Sequence, residues 1–449
     1  MEACKIMLPE YVAELLDHLD RKGYTGYLVG GCVRDALLGR QPEDYDIAVA
    51  AAPEQLIHAF SGYRTVETGV RFGTLTVLVQ EYPVEVTSFR REGAYTDSRH
   101  PDRVEFTDSL TADLARRDFT VNAMAYRPDT GLIDPFHGEE DLRRGVLACV
   151  GDPHTRFSED ALRILRAMRF CSVLGLSPDP RLMAAANSCS PQLSEISVQR
   201  IFSELEKFLC GEHAGQVMRQ FIKPLCTIIP PLEKAVGFDQ KNPHHIYTVY
   251  DHIAATVEAC PPQRLLRLTM LLHDIAKPYV MTEDANGVRH FRGHQERGAQ
   301  MAREILTHLG CDRRTIEKVC RLIRWHDLRP APDRISIHRY LLQVGYEDAL
   351  LLTQVRRADL SAQAPAYHDQ LPQIDAAERM IRRLQAEGAP VDVGGLAVSG
   401  GDLLALGIRP GPQVGELLTA LLKAVADGKV ENEKKGLLKK ALQLQEKAE

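Results

Sequence analysis

The chain has 449 residues, 44% of them hydrophobic, and a formal net charge of −6. That length leaves room for about three domains at ~150 residues each, and the composition is that of a folded globular protein. The acidic balance argues against indiscriminate binding to nucleic-acid backbone. No apolar run reaches membrane-spanning length, and ten cysteines without a C-x-x-C pair argue against a disulfide scaffold or a zinc–thiolate knuckle.

The N-terminal stretch MEACKIMLPEYVAELLDHLD carries acids where a secretory signal needs a basic flank, so a cytoplasmic protein is expected. Leu8, Val12, Leu15, Leu16 and Leu19 recur at helical spacing and predict a helix over 5–22. Next comes YLVGGCVRDALLGRQPEDYDI, residues 27–47: an apolar run, the pair Gly30-Gly31, a helix-like VRDALLG, then Asp44-Tyr45-Asp46. On a strand, period-two alternation puts Asp44 and Asp46 on one face. Two close carboxylates repel unless a cation lies between them, and an open oxygen site suits Mg2+ carrying a nucleoside triphosphate. The glycines let backbone approach phosphates. The spacing is neither G-x-G-x-x-G nor a P-loop, which excludes those two nucleotide folds.

AAPEQLIHAF reads as a short helix and GTLTVLVQEYPVEVTSF as two strands turning near Glu81 to Pro83. Glu85 supplies a third carboxylate if these strands neighbour the Asp44–Asp46 segment. Residues 91–115 are polar and turn-rich, as a mobile loop beside a site would be. In RRDFTVNAMAY, Arg116, Arg117 and Asp118 are expected at a helix start with Asn122 one turn on, Arg117 facing a triphosphate and Asn122 the sugar or an adjacent backbone. IDPFHGEEDLRRGVL reads as strand, turn and helix, with Gly138 in the turn. Cys32, Cys171 and Cys226 sit among apolar residues and are expected to be small buried thiols.

In DPHTRFSEDALRILRAMRFCSVLG, Ser158 is a candidate N-cap for a helix with Glu159, Asp160, Arg163 and Arg166 on its charged side. Glu159 and Arg163 have the spacing of an ordinary surface ion pair. Inside a cleft the same kind of residues read a base: Asp160 accepts from the amino group of cytosine or adenine and Arg163 donates to the ring nitrogen. Uracil and guanine present the reverse order, and each mismatch in a dry site costs on the order of 1–3 kcal/mol. Arg200 and Glu204, also four apart, are expected to brace the neighbouring helix.

Beyond residue 177 the pattern is helical. It holds a second chemical centre in His252, His273, Asp274, His294, His326 and Asp359, with His273 and Asp274 expected on one helix. These mixed histidine and aspartate ligands suit Zn2+, Mn2+, Ni2+ or Mg2+ without choosing among them, and bound water there can hydrolyse a phosphoester. Gly400-Gly401 and RPGPQVG (409–415) read as helix-turn units able to hold phosphate, and Lys434, Lys435, Lys439 and Lys440 as a basic end suited to backbone contact.

Five motifs in order, GGCVRD with DYD, RRDFTVNAMA, IDPFHG, EDALRILRAMRF and SVQRIFSELEKF, make the chain resemble bacterial tRNA nucleotidyltransferases of the class that includes CCA-adding enzymes and bacterial poly(A) polymerases. The resemblance runs from about Tyr24 to Lys435, and departs from the commoner IDPFGG at His137. It implies an α+β fold: an N-terminal nucleotidyltransferase palm, with a small mixed sheet and helices, followed by all-helical neck, body, HD and tail domains. The implied boundaries are 1–147 palm, 148–240 neck and body, 241–365 HD domain and 366–449 tail. It assigns Asp44 and Asp46 to two Mg2+ ions, with Glu85 less secure, and Gly30, Gly31, Arg34, Asp35, Arg117, Asp118, Asn122, Glu159, Asp160, Arg163 and Arg166 to the nucleotide. His252, His273, Asp274 and Asp359 match an HD phosphohydrolase set, with His294 and His326 as further candidates.

The implied activity is addition of C, C and A to the tRNA 3′ end from CTP and ATP. The implied partners are the tRNA 3′ end and acceptor region, with no membrane and no obligate protein partner; oligomerisation stays open. A-adding or poly(A) polymerase activity is the alternative, followed by HD hydrolysis as the main activity. The intact REGAYTDSRHPDRVEF loop argues against CC-only addition, and the charge favours tRNA over general RNA.

Overall fold

The computed structural model describes residues 6–92 and 104–446. The chain divides into two compact units, Met1–Pro230 and Pro231–Glu449. Of the expected loop at 91–115, residues 93–103 lie outside the described residues, while Val104–Phe106 forms a strand and Leu110–Ala115 a helix rather than loop.

The first unit is built on a mixed sheet. Its strands are β1 (Gly26–Val29), β2 (Asp46–Val49), β3 (Arg64–Val66), β4 (Thr74–Val79) and β5 (Tyr82–Ser88), then, after the two-stranded ribbon of β6 (Arg90–Glu92) and β7 (Val104–Phe106), β8 (Ala125–Arg127) and β9 (Gly131–Ile133). The sheet order is β3-β4-β5-β2-β1-β8-β9. Every described pairing in it is antiparallel except β2 with β5. That one parallel pairing sets Asp46 opposite Glu85. The β4–β5 turn falls at Gln80-Glu81, both at positive φ (49° and 71°), slightly earlier than expected. Pro83 therefore sits inside β5, and it is tolerated because β2 pairs with β5 only from Glu85 onward.

One face of the sheet is closed by the helix Glu10–Arg21, which buries Val12, Leu15, Leu16 and Leu19, and by Pro53–Ala59, which contributes Leu56 and Ala59 to the same core. Each follows from its apolar stripe, since one helical face at 3.6-residue period is what a flat sheet can cover. After the sheet the unit is helical: Pro153–Glu159, Leu162–Leu174, Pro180–Cys189, Val198–Leu209, Ala214–Gln220 and Ile222–Ile228. A short parallel pairing of Val146–Leu147 with Ser177–Pro178 ties the start of this array together. Cys32 and Cys171 are buried as expected, but Cys226 is only half-buried, on the short helix Ile222–Ile228.

Among its described residues the second unit is helical apart from one ribbon, Thr282–Glu283 with Arg289–His290, which the helical reading of this region missed. Its helices include Val249–Ala259, Arg264–Leu272, His294–His308, Arg313–Trp325, Arg334–Ser361, Leu371–Ala386, Pro412–Ala426 and Lys434–Gln445. The 28-residue Arg334–Ser361 helix is broken at Gly345, whose φ of 75° no helix accommodates. Gly400 and Gly401 open a six-residue helix capped by Ser399. Lys434 is paired with Asp402 at 2.5 Å, so the basic end is partly neutralised.

Candidate active site and metal cluster

A cavity of about 530 Å³ in the first unit is lined by Gly30, Gly31, Arg34, Asp46, Arg117, Asp118, Asn122, Asp160, Arg163 and Arg166, and also by Arg116, Leu162, Arg169, Phe170 and Arg200. Seven of the lining residues are arginines and three are aspartates, so a polyanion is the fitting guest.

Gly30 ends β1 and caps the helix Gly31–Leu37 at φ 76°, ψ −130°. A Cβ there would meet Arg117 Nη1 at 2.8 Å, so the glycine is what lets this guanidinium lie across the chain turn. Asp46 begins β2. Burial first, then Glu85 and Asp44, push its carboxyl up to about 6, against the opposing pull of Arg117. A desolvated acid with two acidic neighbours is a site that a divalent cation would relieve, so these residues fit Mg2+. Asp44 lies in the bend before β2 rather than on the strand, so strand alternation does not set its direction. Asp44, Glu85, Asp35 and Glu159 do not line the cavity. Asp35 instead holds Arg34, accepting from Nε and Nη2 at 2.9 Å.

Arg116, Arg117 and Asp118 do not start a helix. They follow the helix Leu110–Ala115 and precede the short 3-10 turn Thr120–Asn122. This places Asp118 where its Oδ2 accepts from Arg166 Nε at 2.7 Å, while Asn122 Nδ2 donates to Oδ1 at 3.3 Å. Burial alone would raise the Asp118 carboxyl, but the Arg166 guanidinium and the Asn122 amide hold it below its ordinary value. Asn122 Oδ1 accepts from Arg34 Nη1 at 2.6 Å, which joins the glycine turn to the same network.

Ser158 is not an N-cap. Asp152 caps the helix Pro153–Glu159, accepting from the Thr155 amide at 2.8 Å. Asp160, at φ −150°, ψ 103°, breaks the chain before Leu162–Leu174 begins. The break turns Asp160 into the cavity, where Arg200 Nη2 reaches its Oδ2 at 2.7 Å. Arg163 pairs with Glu159 and donates to the Arg156 carbonyl at 3.0 Å. The expected Glu159–Arg163 pair is therefore present, but largely buried, with Arg163 and not Glu159 lining the cavity, rather than at an open surface. Arg200 does not pair with Glu204, which takes Arg169 at 3.3 Å instead. Arg169 and Phe170 were missed in the sequence. The Phe170 ring carries Arg169 at 4.5 Å, Arg34 at 5.2 Å and Arg166 at 5.6 Å, and the only sequence signal was an aromatic in an arginine-rich helix.

The second unit gathers all six expected ligands. His252 lies on the helix Val249–Ala259 and Asp359 on Arg334–Ser361. His294 is the first residue of His294–His308, and His326 closes Arg313–Trp325. His273 and Asp274 follow the end of Arg264–Leu272 rather than lying within a helix. Among the described residues two groups have the spacing of a metal site, His252 with His273 and Asp274, and Asp274 with His294 and His326. They resemble an HD-type site. His252 Nε2 is 3.0 Å from Asp359 Oδ1, which joins Asp359 to the first group. Lys277 Nζ stands 2.7 Å from Asp274 Oδ2 and is also held by Gln240. Asp327, 3.5 Å from His294, was missed, although the second His-Asp pair at His326-Asp327 signalled it.

The chain is 34% identical over 438 residues to the CCA-adding enzyme of Levilactobacillus brevis, covering 96% of each, and 32% identical over 438 residues to that of Enterococcus faecalis, covering 97% of this chain and 96% of the relative. It belongs to the CCA-adding enzyme family. Residues 26–148 match the poly(A) polymerase head domain, 175–223 the probable RNA- and SrmB-binding site of polymerase A, and 295–441 the putative second domain of tRNA nucleotidyltransferases. Among solved structures, the Bacillus stearothermophilus CCA-adding enzyme in complex with CTP superposes with a TM-score of 0.74 at 29% identity, over 98% of this chain and 99% of that one. The Thermotoga maritima enzyme complexed with tRNA shares the fold, with a TM-score of 0.61 at 20% identity, over 98% of this chain and 96% of that one. The head-domain match spans the whole sheet of this family member, and no helix among the described residues is long and apolar enough to cross a membrane.

Proposed function

We propose that this protein adds C, C and A to the 3′ end of tRNA from CTP and ATP, using amino-acid side chains in place of a nucleic-acid template. The supporting observation is the shared cavity: Gly30, Gly31 and Asp46 line it together with Asp160 and Arg163. Catalytic carboxylate and base-reading edge thus face one volume. The family relatives named as CCA-adding enzymes support the same reading.

Asp44 and Asp46, with Glu85 beside Asp46, would hold Mg2+, which when bound supplies charge for the 3′-hydroxyl and for the leaving pyrophosphate. Arg117, lying across Gly30, meets the triphosphate. Arg34 and Asn122 position the sugar end, and Asp118 fixes Arg166 and Asn122 from beneath. Asp160, held by Arg200, accepts from the exocyclic amine of C or A, and Arg163 donates to the ring nitrogen. The tRNA 3′-hydroxyl gives up its proton to solvent as its oxygen attacks the α-phosphorus; one phosphodiester bond forms, the α–β phosphoanhydride breaks, and pyrophosphate leaves. We assign the palm to 1–147, the neck and body to 148–240, the metal-phosphohydrolase region to 241–365 and the tRNA-binding tail to 366–449.

Incubation with tRNA lacking CCA tests the activity. CTP alone should add two residues, and CTP with ATP should add all three. An enzyme that adds only A, or that extends any RNA with A, would overturn the reading. Asp160→Ala and Arg163→Ala should each lower kcat/KM for CTP and ATP by about 10- to 100-fold, the scale of one lost charged hydrogen bond, and reduce discrimination against UTP. Unchanged selectivity in both would defeat the template role.

A second reading is favoured by the buried histidine–aspartate cluster: divalent-metal-dependent hydrolysis of a phosphoester at His252, His273, Asp274 and Asp359. Water's oxygen joins phosphorus, the ester P–O bond breaks, and the proton leaves with the alcohol. Mn2+, Ni2+, Zn2+ and Mg2+ all suit this donor set.

A further inference from the structure

We propose that the second unit holds a separate ligand pocket, outside the histidine–aspartate cluster, for a small aromatic carboxylate: the carboxylate meets Arg329 and Arg356, and the apolar ring fills the recess beside them. Neither the transferase cavity nor the metal cluster takes part in it.

The recess measures about 300 Å³ and is walled by three segments. One is the turn Leu328–Pro332, which follows the helix Arg313–Trp325. The second is the helix Arg334–Ser361, which lines the recess from both sides of its break at Gly345, with Tyr340 before it and Arg356 after it. The third is the helix Leu371–Ala386. Leu352, Ala377 and Ile381 belong both to this wall and to the apolar core of the unit, so the space is a gap in the core rather than a surface groove. Interiors are otherwise close-packed. Pro330 and Pro332 stiffen the turn that would have to fold inward to close it. None of His252, His273, Asp274, His294, His326 and Asp359 lines the recess.

Its charge is one-sided. Two guanidiniums line it and no acid does. Among the described residues neither Arg329 nor Arg356 has a carboxylate ion-pair partner. Burial, and next the charge of Arg329, hold the Arg356 guanidinium below its ordinary value. Two like charges beside an apolar recess are costly unless an anion lies between them, and a carboxylate fits the guanidinium fork with two parallel hydrogen bonds.

The remaining lining selects the body of that anion. Thr353 already donates its hydroxyl to the Leu350 carbonyl at 2.7 Å. Burial, and next Asp348, push the Tyr340 phenol up, so it stays a neutral hydroxyl. Beyond these, polar lining comes only from Gln370 and Gln373. A sugar and base would bring more polar atoms than these groups satisfy, whereas an aromatic ring buries apolar surface against Leu328, Ile374 and Ile381. The size lies at the lower end of the ~300–1,000 Å³ of small-molecule sites.

Isothermal titration of the full chain tests this, with naphthoate, the neutral naphthamide and adenosine monophosphate as ligands. Naphthoate should saturate a single site per chain, and naphthamide should bind about 10- to 100-fold more weakly, the scale of a lost charged hydrogen bond. Arg356→Met, which keeps the apolar stem, should weaken naphthoate by a similar factor. Gln373→Glu, at an exposed position of the wall, should do so by charge repulsion and serves if Arg356→Met does not fold. Arg292→Ala should change nothing, because Arg292 lines the cavity over the metal cluster and not this recess. No saturable naphthoate binding, or binding unchanged in Gln373→Glu, would overturn the site. Loss in Arg292→Ala would place the anion at the cluster and overturn it equally. Equal affinity for naphthamide would overturn the anion assignment, and tighter binding of adenosine monophosphate would overturn the aromatic carboxylate.

Discussion

Asp46 carries an energetic cost that a bound divalent cation would relieve, in keeping with the metal-holding role proposed for it. Its carboxyl, pushed up to about 6 by burial and by Glu85, lies above the ~3.9 of an unfolded chain. The folded state therefore binds this proton more tightly than the unfolded state does. Ionised Asp46 costs the fold stability above about pH 6, and that cost fades as pH falls toward about 4. About two pKa units correspond to on the order of 3 kcal/mol at most. Without Mg2+ at pH 7.5, Asp46→Asn should be more stable than the parent by about 1–3 kcal/mol in urea unfolding, the gap closing near pH 4, while nucleotide incorporation is lost. Equal stability at both pH values would contradict the burial argument. The residues themselves were legible in the sequence as D-Y-D, but the height of this carboxyl was not, because it depends on a strand distant in the chain.

At the scale of elements, the turn into the helix Gly138–Arg144 shows how tightly local chemistry is set. Asp134 caps it, accepting from the amides of Gly138 at 2.8 Å and Glu139 at 2.9 Å. A Cβ on Gly138 would meet the Thr120 carbonyl oxygen at 2.2 Å, and that oxygen belongs to the segment bearing Asn122. The glycine is therefore needed for close approach of two backbones, not for the turn that the sequence suggested. The left-handed residue is its neighbour His137, at φ 63°. Gly138→Ala should cost about 2–4 kcal/mol, as backbone overpacking does, and should also lower transferase activity by displacing Asn122. His137→Gly should be neutral or stabilising by up to about 1 kcal/mol, since glycine takes this conformation without strain. Thermal unfolding of both variants checks the pair, and the reverse order of stability would refute it. The same lesson holds at Asp160: helical periodicity ran through it, yet the chain breaks there because the acid is drawn to Arg200, forty residues on.

For the whole molecule, the cavity proposed for nucleotide addition lies in one compact unit and the histidine–aspartate cluster in the other. Asp46→Asn should abolish nucleotide addition and leave metal-dependent phosphoester hydrolysis unchanged; His273→Ala should do the opposite. Assays of both activities on both variants check this, and loss of both activities in either variant would show that the two centres are not separable.

Sequence alone determined the parts that local chemistry dictates. These are the helix Glu10–Arg21 from its apolar stripe, the β4–β5 hairpin from its alternation, the glycine turn with the aspartates, and the histidines and aspartates of the second centre. Tertiary structure alone decided which of these meet. The parallel pairing of β2 with β5 sets Glu85 beside Asp46, Arg200 holds Asp160, and Asp274 stands between two pairs of histidines. Periodicity records which face of an element is buried, whereas the partner across that face is chosen by packing and charge compensation between residues far apart in the chain.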